Sequence, residues 1–492
     1  MLTITAHTKT IDASPDDTIA IFTTEEDLKN GSLTFPENIS DIINDINLSG
    51  FRGKKASSLF VPLKKNPMII IIGLGKKKDI TMEGLRNAGA KVTHECRLHR
   101  IHMVHVIPPV ISGFGQVSIE YAITEGIYLS NYDFDIYKTK KEDTPALLKK
   151  VIIHSSNKKE CTAALKELAI ISENVLQCRN MINDTSDKTT PDHIAKHAKK
   201  LSAIKGVSCR VYGRRDIEKM GMGLFMAVSR GSSNPPKLVV LKYRGNSKSN
   251  KWAAIIGKGI TFDSGGMNLK PSKSIEDMRM DMAGAAGCMY TLKSVAELGI
   301  KKNLIAVLPL CENMVSGNSY KPGDVFKAYN GKTVEIGNTD AEGRLILADA
   351  LAFTEDRLKP SLMVDMATLT GACLISFGEI VAGLLTENNK IANELFNSGE
   401  RTGDRLWRLP LYEDYAEDIK SDIADINNIS SSRHAGTIIG ATFLNNFVKK
   451  TPWAHIDIAG TAWISKKRGY RTKYATGYGI RLLSDFIKNV DL

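Results

Sequence analysis

Between Leu238 and Ile458 the chain alternates short apolar runs of strand length with longer stretches of helical period, and this alternation restricts it to an α/β fold. The runs are Leu238-Val239-Val240-Leu241, Trp252 to Ile256, Leu304 to Leu308, Leu362 to Asp365 and Ala454 to Ile458; helical patterns start near Met280 and after Asp340. The expectation is a mixed or parallel sheet sandwiched by helices. At 492 residues the chain is too long for one hydrophobic core, so a smaller α/β domain is expected ahead of the larger one. Its core signal is the run Met68-Ile69-Ile70-Ile71-Ile72, then Gly73-Leu74-Gly75 and a helix-like stretch from Thr81. A polar stretch from Lys138 to Thr144 precedes another strand, Val151-Ile152-Ile153. The domains are placed at 1–158 and 183–492, joined by a helix over 159–182 and a turn-rich loop from Asn183 to Pro191.

Composition narrows the function classes. Seven cysteines, odd in number and without a CxxC pair, suit reduced thiols in a cytosolic protein rather than a disulfide framework. Met1-Leu2-Thr3-Ile4-Thr5-Ala6 alternates like a strand instead of forming a signal peptide, and the apolar runs are too short to span a bilayer. A cytoplasmic protein without membrane association is therefore expected. The net charge of +12 is spread over doublets such as Lys64-Lys65, Lys199-Lys200 and Lys449-Lys450, which fits solvated surface lysine and leaves DNA binding open as an additional role.

Several apparent motifs fail on spacing. The third glycine of a dinucleotide fingerprint after Gly73-Leu74-Gly75 falls on Lys78, so this is read as an ordinary βα turn. His94, Cys96, His99, His102 and His105 match no zinc-finger spacing and are read as structural or surface residues. His193 and His197 lie one helical turn apart but lack the glutamate of an HExxH motif.

The chemistry concentrates in Asn338-Thr339-Asp340-Ala341-Glu342-Gly343-Arg344-Leu345, between a strand-like run (Lys332 to Ile336) and a helical pattern. As plain structure it is a helix start, with Thr339 and Glu342 forming a capping box. That leaves Asp340 and the cation Arg344 unexplained. Other charged groups occur where strands should end: Lys258 and Asp263 in the run Gly257 to Gly266, Lys270, and Asp281 before the small residues Ala283 to Gly287. Lys258 is followed by glycine rather than Ser or Thr, which argues against a Walker-type phosphate loop. Asp263, Asp281, Asp340 and Glu342 at one sheet edge would repel each other unless cations intervene, and they suit two divalent ions about 3.5–4 Å apart. Manganese, magnesium and zinc all remain open for oxygen-rich ligands. Lys258 could ligate only as a neutral amine with a depressed pKa, whereas Lys270 could stay charged and stabilise an oxyanion.

These residues resemble the cytosolic leucyl aminopeptidase family of two-metal peptidases, with Asn338 to Leu345 similar to that family's signature. The resemblance extends through the Gly257 to Gly266 run, Asp281, Gly221-Met222-Gly223 with Pro235-Pro236-Lys237, Ala367-Thr368-Leu369-Thr370-Gly371-Ala372, Trp453 to Trp463 and Thr476-Gly477-Tyr478-Gly479. It is loose before Arg179, where the first domain resembles the family's macro-like α/β domain only in general pattern. Asn183-Asp184-Thr185-Ser186-Asp187 departs from the family's Asn-Pro-Pro-Asn-like turn.

The resemblance implies that Asp263 and Glu342 bridge two metal ions, manganese or zinc, with Lys258 and Asp281 completing one and Asp340 the other. A bridging water would attack the scissile carbonyl while one metal captures the free amine. Lys270 would polarise the carbonyl, and Arg344 would hold a bicarbonate or relay waters. Met278, Thr368, Leu369 and Gly371 would line the pocket for the first side chain. The implied activity is release of leucine-like N-terminal residues from peptides in the cytoplasm, by a homohexamer. Clustered carboxylates also serve two-metal phosphoesterases, a second enzyme reading that lacks a matching ligand pattern here.

Overall fold

The computed structural model describes residues 2–8, 14, 17–31, 49–62, 67–140 and 147–492. The Lys64-Lys65 doublet and positions 141–144 of the polar stretch lie outside the described residues. The chain divides into two compact units, Met1–Glu173 with Lys466–Lys473, and Asn174–Ser465 with Tyr474–Leu492. The helix Lys158–Asn183 runs through the first division, and no described helix is long and apolar enough to cross a membrane.

The first unit is built on strands β1 (Thr3–His7), β2 (Thr18–Thr23), β3 (Ser58–Val61), β4 (Met68–Gly73), β5 (Met103–Ile107) and β6 (Lys150–His154), in the order β1-β6-β5-β2-β4-β3. All neighbours are parallel except the edge strand β3. Ile69 to Ile72 are almost wholly buried, as a strand covered on both faces requires. Three successive amides at the end of β4 are spent on the chain's own carbonyls: Gly73 N–H donates to Ser57 O, Leu74 N–H to Thr23 O and Gly75 N–H to Gly53 O. A pyrophosphate would find no free amide there, so the segment is a βα turn leading to the helix Met82–Leu98.

The histidine-rich segment is scattered in the same unit. His94 and His102 are exposed, His99 stacks on Phe60 at 3.7 Å, Cys96 is buried, and His105 meets His154 through ring nitrogens 2.9 Å apart. His193 and His197, in the second unit, stack on each other at 5.9 Å.

The second unit carries nine strands in one mixed sheet. In chain order these are β7 (Val207–Tyr212), β8 (Lys237–Arg244), β9 (Trp252–Gly257), β10 (Gly259–Asp263), β11 (Asn303–Asn313), β14 (Leu362–Ala367), β15 (Ala382–Leu385), β16 (Leu406–Arg408) and β18 (Trp453–Asp457). A small separate sheet holds β12 (Val325–Lys327), β13 (Thr333–Glu335) and β17 (Ile426–Asn427). The large sheet runs β16-β15-β18-β14-β9-β11-β8-β7, with β10 paired to β11. Its centre, β18-β14-β9-β11 together with β10, is parallel. Every residue of β11, β14 and β18 is buried. Five parallel strands thus end at a common edge, the place where open α/β sheets carry their sites.

The Gly257 to Gly266 run carries a strand that its sequence does not announce. Gly259–Asp263 is itself a strand, in register with Leu310 to Asn313, so Asp263 is a strand-end residue. The glycines had disguised it, since glycine is depleted in strands.

Candidate active site

Each charged side chain singled out above sits at or just beyond the carboxyl end of one of these parallel strands, or on a helix start facing them. Lys258 follows β9, Asp263 ends β10, and Thr368 follows β14. Asp281 lies in the turn Met278–Met282 that opens the helix Ala283–Glu297, and Glu342 is the first residue of the helix Glu342–Phe353.

Thr339 does not cap that helix. The N-cap is Ala341, without a side-chain cap, and Glu342 at the first helical position cannot reach back as a capping-box partner. The Thr339 hydroxyl instead donates to Gly265 O at 2.7 Å and accepts from Asn268 N–H at 2.8 Å, tying the signature to the loop after β10. That loop turns through Gly265 (φ +87°) and Gly266 (φ +64°), and a Cβ on either would crowd Asp340 or Thr339.

Asp263, Asp340 and Glu342 each place a carboxylate oxygen within 4.8 Å of the others, the one such trio of His, Cys, Asp or Glu among the described residues. Asp281 joins them through Lys258, whose Nζ lies 2.8 Å from Asp281 Oδ2 and 2.9 Å from Glu342 Oε1 and donates to Thr368 O at 2.8 Å. Lys270 lies 2.8 Å from Asp263 Oδ2 and 2.5 Å from Asp340 Oδ1. Gly343 makes room for this arrangement, because a Cβ there would occupy the Lys258 side chain's place.

The electrostatics follow from burial. Asp263 is pushed up to about 7 by burial and by Glu342, against the pull of Lys270 and Lys258. Asp281 is also raised, with burial the largest cause. Glu342 ends below its usual value: burial works against its charge, but Lys258 and Lys270 outweigh it. Burial likewise opposes charge on both lysines, yet Asp281 and Glu342 raise Lys258, and Asp263, Glu342 and Asp340 raise Lys270. The depressed Lys258 expected for a metal-ligating amine is therefore not what the carboxylates alone produce. A divalent cation on the same carboxylates would act in the opposite sense.

Two observations test whether metal ions fit. Asp281 Oδ2 and Glu342 Oε1 are buried and have Lys258 Nζ, at 2.8 and 2.9 Å, as their one partner among the described residues, which leaves each with a lone pair for a cation. The remaining donors are carboxylate oxygens converging on one point, the ligand type of hard and borderline divalent ions. The residues fit.

Arg344 is buried, donates from Nη1 to Asn428 O at 2.6 Å, and keeps an unpartnered Nε. Burial brings its pKa down to about 10, opposed by Glu342 and Asp457. Met278 is half-buried on the same turn as Asp281, Leu369 is half-buried, and Gly371 is exposed at the start of the helix Gly371–Phe377. Thr368 is buried, and its hydroxyl donates to Asp281 Oδ1 at 2.6 Å.

The sequence reading missed the residues that hold this constellation. Asn313, ending β11, donates to Asp263 Oδ1 at 2.8 Å and to Thr339 O at 3.0 Å. The Asn428 side-chain oxygen accepts the Gly337 and Asn338 amides. Tyr320 O–H donates to Thr339 O at 2.8 Å. Their partners lie tens of residues away, and no local pattern marks an Asn or Tyr for such work.

Below the edge, His455 Nδ1 and Asp365 Oδ1 are 2.7 Å apart across β14 and β18, both fully buried, and Trp453 donates to the other Asp365 oxygen at 2.7 Å. Burial opposes charge on His455, but Asp365 and then Asp457 outweigh it, with Arg344 opposing, so its pKa is raised. A histidine raised in the folded state contributes stability that is complete below about pH 6.5 and lost as pH rises through the folded value. Melting of the wild type against Asp365→Asn is expected to show a difference that shrinks from pH 6 to pH 9. A constant difference would place the pair's contribution outside ionisation.

Fold and site together define a two-domain α/β protein with a carboxylate–lysine centre fit for divalent ions at the edge of its larger sheet. Residues 176–484 match the catalytic domain of the cytosol aminopeptidase family, and residues 22–141 match that family's N-terminal domain. A probable cytosol aminopeptidase of Protochlamydia amoebophila (strain UWE25) is 42% identical over 91% of this chain and 90% of its own length. One from Aquifex aeolicus (strain VF5) is 38% identical over 96% and 95%. Among solved structures, the bottromycin maturation enzyme BotP in complex with Mn superposes with a TM-score of 0.85 at 28% identity, over 97% of this chain and 99% of that one. The chain belongs to the cytosol aminopeptidase family.

Proposed function

We propose that the protein is a metal-dependent aminopeptidase that releases N-terminal residues, leucine-like ones preferentially, from peptides in the cytoplasm. The observation that carries this reading is the set of four carboxylates and two lysines at one sheet edge, with Asp281 Oδ2 and Glu342 Oε1 buried and met by Lys258 alone among the described residues. Asp263 and Glu342 would be shared by two divalent ions, manganese or zinc, with Lys258 and Asp281 completing one set and Asp340 the other. Bound there, such ions supply a Lewis acid and an acidified water.

The chain's own residues do the rest. Lys270, kept cationic by three carboxylates, directs its ammonium to the carbonyl oxygen as negative charge develops on it. Arg344, with an unpartnered Nε, holds a small anion such as bicarbonate beside the reacting group. Met278 and the loop Thr368 to Gly371 receive the first side chain of the peptide. The homohexamer implied by the family resemblance belongs to the same reading, and sedimentation of the intact chain tests it.

Hydrolysis of a leucyl amide is compared with that of its N-acetylated counterpart, with manganese or zinc supplied and then with a chelator. Cleavage of the free amine alone, abolished by chelation, is the expected result. Inertness toward both compounds with every metal tried, or turnover of a phosphodiester instead, would sink the reading.

A further inference from the structure

Asp457, the last residue of β18, is fully buried and accepts three hydrogen bonds from elsewhere in the chain. Its Oδ1 takes the amide of Leu369 at 3.2 Å and that of Ala459 at 3.1 Å; its Oδ2 takes the Thr370 hydroxyl at 2.6 Å. The hydrogens around Thr370 are fully assigned by this. With its single proton on Asp457, Thr370 Oγ1 accepts from Cys373 N–H at 3.3 Å and from the Thr437 hydroxyl at 2.9 Å. Two residues thus pin the turn between β14 and the helix Gly371–Phe377 to the neighbouring strand.

The same turn reaches the charged centre through the residue before it. Thr368 O accepts from Lys258 Nζ at 2.8 Å, and Thr368 Oγ1 donates to Asp281 Oδ1 at 2.6 Å. Asp457 touches neither Lys258 nor Asp281, but the turn Thr368 to Thr370, hydrogen-bonded at both ends, joins it to them. Free rotation of that turn would cost both bonds at once, and a displacement near 1 Å is enough to lower a rate about 100-fold.

We propose that Asp457 is a positioning residue, which through Leu369 and Thr370 fixes Thr368 so that Lys258 and Asp281 stand ready for a metal ion. The role rests on the aminopeptidase reading for its consequence in turnover, and on the hydrogen bonds alone for its consequence in loop order. Cys373 N–H and the Thr437 hydroxyl also hold Thr370, from the neighbouring helices, whereas the Leu369 amide goes to Asp457. The backbone bond of Ile458 N–H to Ala367 O holds the strand ahead of Thr368, not the turn after it.

The test uses the full-length chain and three substitutions. Asp457→Ala removes both acceptor oxygens and with them all three bonds; Thr370→Val removes the hydroxyl's bond to Asp457 together with its bonds from Cys373 N–H and Thr437, and decides the matter if the first variant does not fold; Asp457→Asn keeps one acceptor oxygen for the two amides. Amide hydrogen exchange at Leu369 is read without added metal, followed by Mn2+ affinity, then kcat and KM for a leucyl amide. Exchange at Leu369 is expected to quicken at least tenfold in Asp457→Ala and Thr370→Val, and Mn2+ affinity to weaken at least tenfold. The value of kcat is expected to fall about 100-fold in Asp457→Ala with KM within threefold, and Asp457→Asn to lose less than the alanine variant. Thr370→Val with Leu369 exchange and Mn2+ affinity both within twofold of wild type would overturn the proposal. Faster exchange and weaker Mn2+ binding in a chain whose wild type cleaves no leucyl amide would uphold Asp457's role while sinking the aminopeptidase reading.

Discussion

Asp340→Ala is expected to lower kcat/KM for a leucyl amide by more than about 10³-fold, beyond the roughly 10–100-fold that follows loss of an outer partner of a metal site. Asp340 is the most exposed member of the carboxylate trio, with 34% of its side chain accessible, and its one ion-pair partner, Lys270, keeps a second bond to Asp263. Its removal therefore leaves no buried charge unpaired, and a half-exposed pair contributes at most about 1 kcal/mol to folding. The variant should melt within a few degrees of the wild type while binding one divalent ion, against the two expected of the wild type. Metal analysis beside calorimetry separates loss of a ligand from loss of the fold. A variant that retains two ions and activity within tenfold of wild type would remove Asp340 from the ligand set.

Lys270→Ala is expected to act on a different quantity. Loss of a donor aimed at a developing oxyanion costs about 10²–10³-fold in kcat, with the substrate's ground-state affinity little changed. Lys270 lies between Asp263 and Asp340, so deleting it increases the mutual repulsion of those carboxylates and strengthens their demand for cations. Both divalent ions should stay bound, at equal or higher affinity. The two variants thus differ in metal content and share a loss of rate, a pattern that general damage to the site would not give. Lys270→Arg keeps the charge with a different donor geometry and is expected to recover part of the rate. A fall in metal content in Lys270→Ala equal to that in Asp340→Ala would assign the lysine a structural role.

The sheet and the charged cluster were legible in the sequence for different reasons. β9, β11, β14 and β18 are buried on both faces and announce themselves as apolar runs. Asp340 and Arg344 announce themselves by chemistry that a helix start does not need. β10 was not legible as a strand, because Gly259 at its start and Asp263 at its end are residue types that strands disfavour. Thr339 looked like a helix cap because Glu342 stands three residues on, but the helix begins at Glu342 itself and the hydroxyl is spent on Gly265. Asn313, Asn428 and Asp457 are more telling still. Each is an ordinary polar residue in its own neighbourhood, and the bonds that order the site reach partners 26 to 91 positions away. Hydrogen bonds of that span follow from strand order, which pairing across the sheet decides and local periodicity does not record.

Thr368 carries a consequence for how such a protein can be altered. Its carbonyl and hydroxyl hold Lys258 and Asp281, while the residues immediately after it belong to the proposed side-chain pocket. Selectivity and turnover are therefore mechanically joined in one short turn. Reshaping that turn to admit another side chain moves two proposed metal ligands with it, so directed variants chosen there for a new substrate should bring altered metal requirements along. Met278 shares its turn with Asp281, so substitutions there act on one proposed ligand and leave the Thr368 bond to Lys258 in place.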